Sequence, residues 1–178
     1  MYTTAVFPGR YIQGEGALQE LPEHLRGLGQ HPLILAGRTA RQVILPTLWP
    51  LGQPPHTSVE AFGGECCDQE LDRLLALLNR NGHDVVVGMG GGKALDTAKI
   101  IADRVDIPVI MVPTVASNDA PCSGCSVVYT ATGVFDRVCF QKANPRLVLV
   151  DTGLIAHAPA RFLKAGMGDA LATWFEAR

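Results

Sequence analysis

The residues in this 178-residue chain best suited to chemistry are Gly90-Gly91-Gly92-Lys93. Glycines let a backbone come close to a pyrophosphate, and the first amides of a following helix favour an anion. Neither of the two commonest phosphate patterns fits. The P-loop pattern meets Val87 at its first glycine and Ala94 at its Ser/Thr, and G-x-G-x-x-G counted from Gly88 meets Lys93 at its third glycine. Two local readings stand, a phosphate-binding turn and a merely tight strand-to-helix turn. A second polar stretch, Pro113-Thr114-Val115-Ala116-Ser117-Asn118-Asp119-Ala120-Pro121, follows the next predicted strand and would offer its hydroxyls and carboxylate to the same crevice.

Other chemistry-bearing residues read more plainly. Gly168-Asp169 by itself is a helix N-terminal carboxylate facing the dipole. His157 has no partner at a metal-binding spacing and reads as a surface or helix-start residue, while His24, His31, His56 and His83 fall in helix or turn contexts. Cys66, Cys67, Cys122, Cys125 and Cys139 are an odd and irregular set without a secretory signal, which reads as reduced packing thiols. Cys122 and Cys125 have CxxC spacing, but no second pair and no strand-to-helix start accompany them.

Short apolar runs alternate with stretches of helical period, the pattern of βαβ units. Helices are expected over Ala17 to Leu28, Ala40 to Leu48, Asp68 to Arg80 and Ala94 to Val105, with strands at Leu33 to Ala36, Val59 to Phe62, Val85 to Val87, Val109 to Val112, Val127 to Tyr129 and Leu147 to Val150. Asp68 is the expected N-cap of the clearest amphipathic helix, which should stop near Asn81-Gly82. Val85-Val86-Val87 is an apolar β-branched run of mid-sheet type, so the glycine turn sits at a strand's carboxyl end, where open α/β sheets bind ligands. The predicted architecture is a Rossmann-like, mainly parallel α/β domain with helices on both faces over residues 1–158, followed at 159–178 by the first helical segment of an all-helical domain. The chain ends inside a helical pattern carrying Leu171, Trp174 and Phe175, so truncation is expected.

Composition narrows the function classes. Net charge is −2 and the basic residues are scattered, which argues against a nucleic-acid partner. Hydrophobic residues are 47% and charged residues 18%, with no apolar run of membrane-spanning length and no signal-peptide pattern at the N-terminus, so a cytoplasmic protein without a membrane partner is expected.

Three long motifs in order, Gly90 to Lys99, Pro113 to Pro121 and Gly166 to Ala177, resemble those of the iron-containing and glycerol dehydrogenase superfamily, nearest its glycerol dehydrogenase branch. Pro8 to Gly14, Phe62 to Cys66 and Val150 to Thr152 extend the resemblance over essentially the whole chain. It implies NAD(P)-dependent oxidation of glycerol or a similar small vicinal diol to the hydroxyketone. Gly90, Gly91, Gly92 and Lys93 would cradle the pyrophosphate with Asp96, Thr114 and Ser117 nearby, and Ser123, Cys125 and Tyr129 would approach the nucleotide. Asp119 would lie on the substrate side of the nicotinamide pocket. Asp169 would bind the catalytic divalent metal, usually zinc in this branch, whose role is to stabilise the substrate alkoxide as hydride leaves. Family members add two histidines from a C-terminal helical domain and commonly form homo-oligomers.

Two departures stand out. Where the family has Gly-Asp-Lys after the second strand, this chain has Gly37-Arg38-Thr39. An Asp there accepts a ribose hydroxyl and repels a 2′-phosphate, whereas Arg38 would pair with that phosphate and shift preference toward NADP, unless it points to solvent. Cys125 stands where the family commonly has an apolar residue, and cysteine substitutes quietly as a small hydrophobe. Two alternatives accompany the polyol reading: a nucleotide-binding module without turnover, and a relative of glycerol-1-phosphate dehydrogenase or dehydroquinate synthase, which share the glycine signature.

Overall fold

The computed structural model describes residues 5–50, 52, 54 and 56–176. Its strands are Tyr11–Gly14 (β1), Pro32–Ala36 (β2), Ser58–Ala61 (β3), Val85–Gly90 (β4), Val109–Pro113 (β5), Cys125–Tyr129 (β6), Phe135–Phe140 (β7) and Leu147–Asp151 (β8). Six of them form one parallel sheet in the order β1-β8-β5-β4-β2-β3, while β6 and β7 pair as an antiparallel hairpin beside it. The central strands read as nearly unbroken Val/Ile/Leu runs because both faces are covered. Alternate residues split between two cores: Ile34, Val85, Val87, Ile110 and Val112 face one, and Leu33, Leu35, Val86, Met111 and Val148 the other.

The helices are Leu21–Arg26 (α1), Leu45–Leu48 (α2), Asp68–Asn81 (α3), Gly92–Val105 (α4), Thr152–Ala156 (α5) and Ala160–Glu176 (α6). The segments holding α1 and α2 pack into the first core, and α3 and α4 into the second, which is the two-faced arrangement the alternation predicts. In register, Ala36 lies beside Met89 and Gly90 beside Pro113. The carboxyl ends of β2, β4 and β5 are therefore level, and the chain leaves them side by side at Gly37, Gly91 and Thr114.

The structure corrects several sequence expectations. The stretch expected as one helix from Ala17 to Leu28 is a 3-10 turn, Ala17–Glu20, followed by α1, with Pro22 in the first turn of α1 because a proline has no amide to continue the earlier ladder. Ala40 to Leu48 likewise divides into a π-type turn, Ala40–Ile44, and α2, again with a proline at the join. Asp68 is not an N-cap. Cys67 occupies that position with extended backbone, and Asp68, inside the helix, gives its carboxylate to Arg137 of β7, which also holds its pKa below the usual carboxylate range. The expected stop holds, since Gly82 ends α3 at φ 64°. His157 closes α5 rather than starting a helix. β1 and β7, unexpected from the sequence, are half-exposed and lack the apolar runs of the central strands. Among the described residues no helix is long and apolar enough to cross a membrane.

Candidate nucleotide cleft

The level strand ends open into a cleft of about 660 Å³. Gly37, Gly90, Gly91 and Gly92 line it together with Thr114 and Ser117 and with residues between Leu154 and Phe162. Backbone bonds tie the strand ends together: Gly37 N donates to Met89 O at 2.9 Å, and Thr114 N to Gly90 O at 2.9 Å. Gly91 caps α4 with φ −86° and ψ 179°, its carbonyl accepting from Ala94 and Leu95, so the amides of Gly92 and Lys93 belong to the first turn that no helix uses internally. A larger residue at Gly92 would have to displace the Asn118 side chain. A Cβ there would lie 2.7 Å from Asn118 Nδ2, in the loop that follows β5.

The charge pattern is one-sided. Arg38, Lys93, His157 and Arg161 line the cleft, and no Asp or Glu does. A helix N-terminus beside two arginines and a lysine, with no acid in the described lining, favours an anion. Lys93 is already partly committed: its Nζ donates to both oxygens of Glu65, at 2.6 and 2.7 Å, and stands 4.7 Å from the centroid of the Tyr129 ring. The turn amides of Gly92 and Lys93 have no such partner within the helix. Arg38 reaches into the cleft lining and donates from Nε to Gln42 Oε1 at 3.3 Å.

The residues singled out from the sequence fall into three groups. Arg38, Gly90, Gly91, Gly92, Lys93, Thr114 and Ser117 meet in the cleft, with Tyr129 behind Lys93. Asp119 and Asp169 meet each other, the Asp119 amide donating to Asp169 Oδ2 at 3.1 Å. Asp96, Ser123 and Cys125 do not line the cleft; they gather around buried Lys99. Burial is the main cause that pushes the Asp96 carboxyl up, against the pull of Lys99. Glu65, Lys99 and Arg161 were not singled out as site residues from the sequence, although Glu65 and Lys99 lie within quoted motifs. Among the described residues no three His, Cys, Asp or Glu side chains cluster as a metal would require.

A second hollow, of about 410 Å³, lies at the amino end of β5. It has no glycine turn, and Lys142 within it is paired with Asp106 at 3.2 Å.

Residues 8–152 match the iron-containing alcohol dehydrogenase family. The chain belongs to that family. It is 50% identical to a glycerol dehydrogenase of Thermotoga maritima over 99% of its own length and 49% of the relative's. A crystal structure of a probable glycerol dehydrogenase from Sinorhizobium meliloti superimposes with a TM-score of 0.89 at 42% identity, covering 97% of this chain and 48% of the other. A glycerol-1-phosphate dehydrogenase [NAD(P)+] of Methanocorpusculum labreanum is 35% identical over 94% of this chain and 46% of its own. The chain spans about half the length of the curated relatives it matches. Within the family frame, the motif ending at Ala177 begins on α6, which crosses the β5–β6 loop so closely that a Cβ on Gly166 would lie 2.3 Å from Ala116 O.

Proposed function

We propose that this chain provides the cofactor-binding part of an NAD(P)-dependent oxidoreductase that oxidises glycerol, or a similar small vicinal diol, to the hydroxyketone. The observation that carries the reading is the acid-free, glycine-lined cleft at the ends of β2, β4 and β5. It fits a dinucleotide: the turn amides of Gly92 and Lys93 face the diphosphate, Thr114 and Ser117 hydrogen-bond the nicotinamide side, and Arg38 stands where the adenosine ribose lies in such sheets. Bound there, a nicotinamide supplies the hydride acceptor. Arg38, with no carboxylate beside it in the cleft, supports acceptance of NADP as well as NAD. The relatives named glycerol dehydrogenase support the polyol substrate.

Zinc does not fit the described residues. A zinc site takes three or four protein ligands, and Asp169 is a single carboxylate whose Oδ2 already accepts the Asp119 amide. A divalent metal at Asp169 would need donors beyond these residues. The same observation favours a second reading, nucleotide binding without turnover by this chain alone. A phosphorylated glycerol substrate is the less favoured alternative, since relatives named glycerol dehydrogenase are 42–50% identical and the glycerol-1-phosphate dehydrogenase 35%. Residues 159–178 as the opening of a helical domain, homo-oligomer formation and a cytoplasmic site of action belong to the same proposal.

Calorimetric titration with NAD and NADP, followed by addition of zinc and glycerol with nicotinamide absorbance recorded, tests the reading. The expected result is binding of both nucleotides without turnover. Absence of dinucleotide binding would overturn it, and turnover would show that other residues complete the metal site.

A further inference from the structure

Lys99 is a cation with almost no access to water, its residue surface 2% exposed. It projects from α4 toward the loop between β5 and β6, and five oxygens converge on its Nζ. The carbonyl oxygens of Ala120 and Ser123 lie at 2.9 and 3.3 Å, Ser123 Oγ at 3.3 Å and Asp96 Oδ1 at 3.0 Å, and the Cys125 carbonyl is nearest of all. An ammonium has only three protons to donate. The arrangement is an oxygen cage around a positive charge rather than a set of matched hydrogen bonds, and without that charge three inward-turned carbonyls and a carboxylate would face one another with only the single Ser123 hydroxyl proton and the Val127 amide to share.

The cage has two consequences for its surroundings. Asp96 is held between Lys99 and the amide of Val127, which donates to Oδ2 at 3.1 Å, so the same ion pair fastens α4 to β6. The loop that supplies the carbonyls is the one whose Asp119 amide meets Asp169 and whose Thr114 and Ser117 line the cleft. We propose that the Lys99 ammonium acts as an internal monovalent cation, filling an oxygen cage whose occupancy shapes residues 119–126, and that Lys99 and Asp96 are positioning residues for that loop. The inference rests on the cage geometry and stands independently of which ligand the cleft takes. Its value for catalysis, presenting Asp119 to the substrate side, rests on the function proposed above.

Lys99 also borders the hollow of about 410 Å³, which gives a small cation a way in once the lysine stem is removed. The test is chemical rescue. Amide hydrogen exchange is followed in full-length Lys99→Ala, alone, with methylammonium, and with tetramethylammonium at equal ionic strength, with α3 as internal reference. The expected result is exchange faster by roughly tenfold or more across residues 119–127, with α3 unchanged, largely reversed by methylammonium and not by the bulkier ion. Wild-type protection in Lys99→Ala would overturn the proposal, as would a loss spread equally over α3 that methylammonium does not reverse. If Lys99→Ala does not fold, Lys99→Gln carries the test: it keeps donors and most of the stem but no charge, and wild-type loop exchange in that variant would overturn the proposal equally. An NAD titration of the unmodified chain run alongside separates the two ideas, since failure there sinks the cofactor reading and leaves the cage standing.

Discussion

At the scale of single residues, the proposed choice between NAD and NADP turns on Arg38. It lines the cleft at the end of β2, donating to Gln42, and among the described residues no carboxylate joins the lining. An Asp there would accept a ribose hydroxyl, and an Arg would pair with a 2′-phosphate. Arg38→Asp is expected to weaken NADP about tenfold or more while sparing or improving NAD, read as two dissociation constants by calorimetry. An unmodified chain that binds NAD far more tightly than NADP would remove Arg38 from the site. The position was legible in the sequence because it follows the second apolar run. Its surroundings were not, since they depend on loops distant in sequence: the side chain borders the cleft and remains exposed.

At the scale of elements, the crossing of α6 over the β5–β6 loop brings the Asp169 carboxylate to the backbone amide of Asp119. Gly166 makes the crossing close: a Cβ would lie 2.3 Å from Ala116 O, a backbone atom that cannot swing aside. In an exposed helix a Gly→Ala change ordinarily stabilises by roughly 1 kcal/mol. Here the sign should reverse. Gly166→Ala is expected to destabilise by about 1–3 kcal/mol as α6 is pushed from the loop and the Asp119–Asp169 contact is lost. Denaturant midpoints measure it, and a variant as stable as the parent would show that the crossing yields easily. The motif around Gly166 was visible in the sequence, but its packing role was not, because the contact spans about fifty residues of chain, from Ala116 to Gly166.

At the scale of the whole molecule, the two cores on either side of the sheet set the response to pH. Cys66 is fully buried in the core shared by α3 and α4, and that burial, more than its charged neighbours, pushes its thiol from 9.0 up to about 11. The unfolded chain ionises this thiol first, so its contribution is fully present below about pH 9 and lost as pH rises toward 11. Thermal midpoints should fall across that window in the parent chain and fall less steeply in Cys66→Ala. Equal slopes would show that other groups dominate. The same burial keeps Cys66 protonated near neutrality, consistent with reading the cysteines as packing residues.

Local information sufficed wherever burial acts on a run of neighbours. Val85-Val86-Val87 had to be a covered strand and Asp68 to Arg80 a helix with one apolar face, because side-chain period and hydrophobicity are properties of adjacent residues, whereas the glycines expected as a turn divide, Gly88 and Gly90 continuing β4 and only Gly91 standing between it and α4. Tertiary structure decided what depends on partners distant in sequence. Asp68 was available to cap α3, yet Arg137 of β7 takes its carboxylate. Lys93 looked like a cleft cation and is held by Glu65. Asp96, Ser123 and Cys125 read as cofactor neighbours and converge instead on Lys99, since a buried ammonium draws to itself every oxygen the fold can bring within reach.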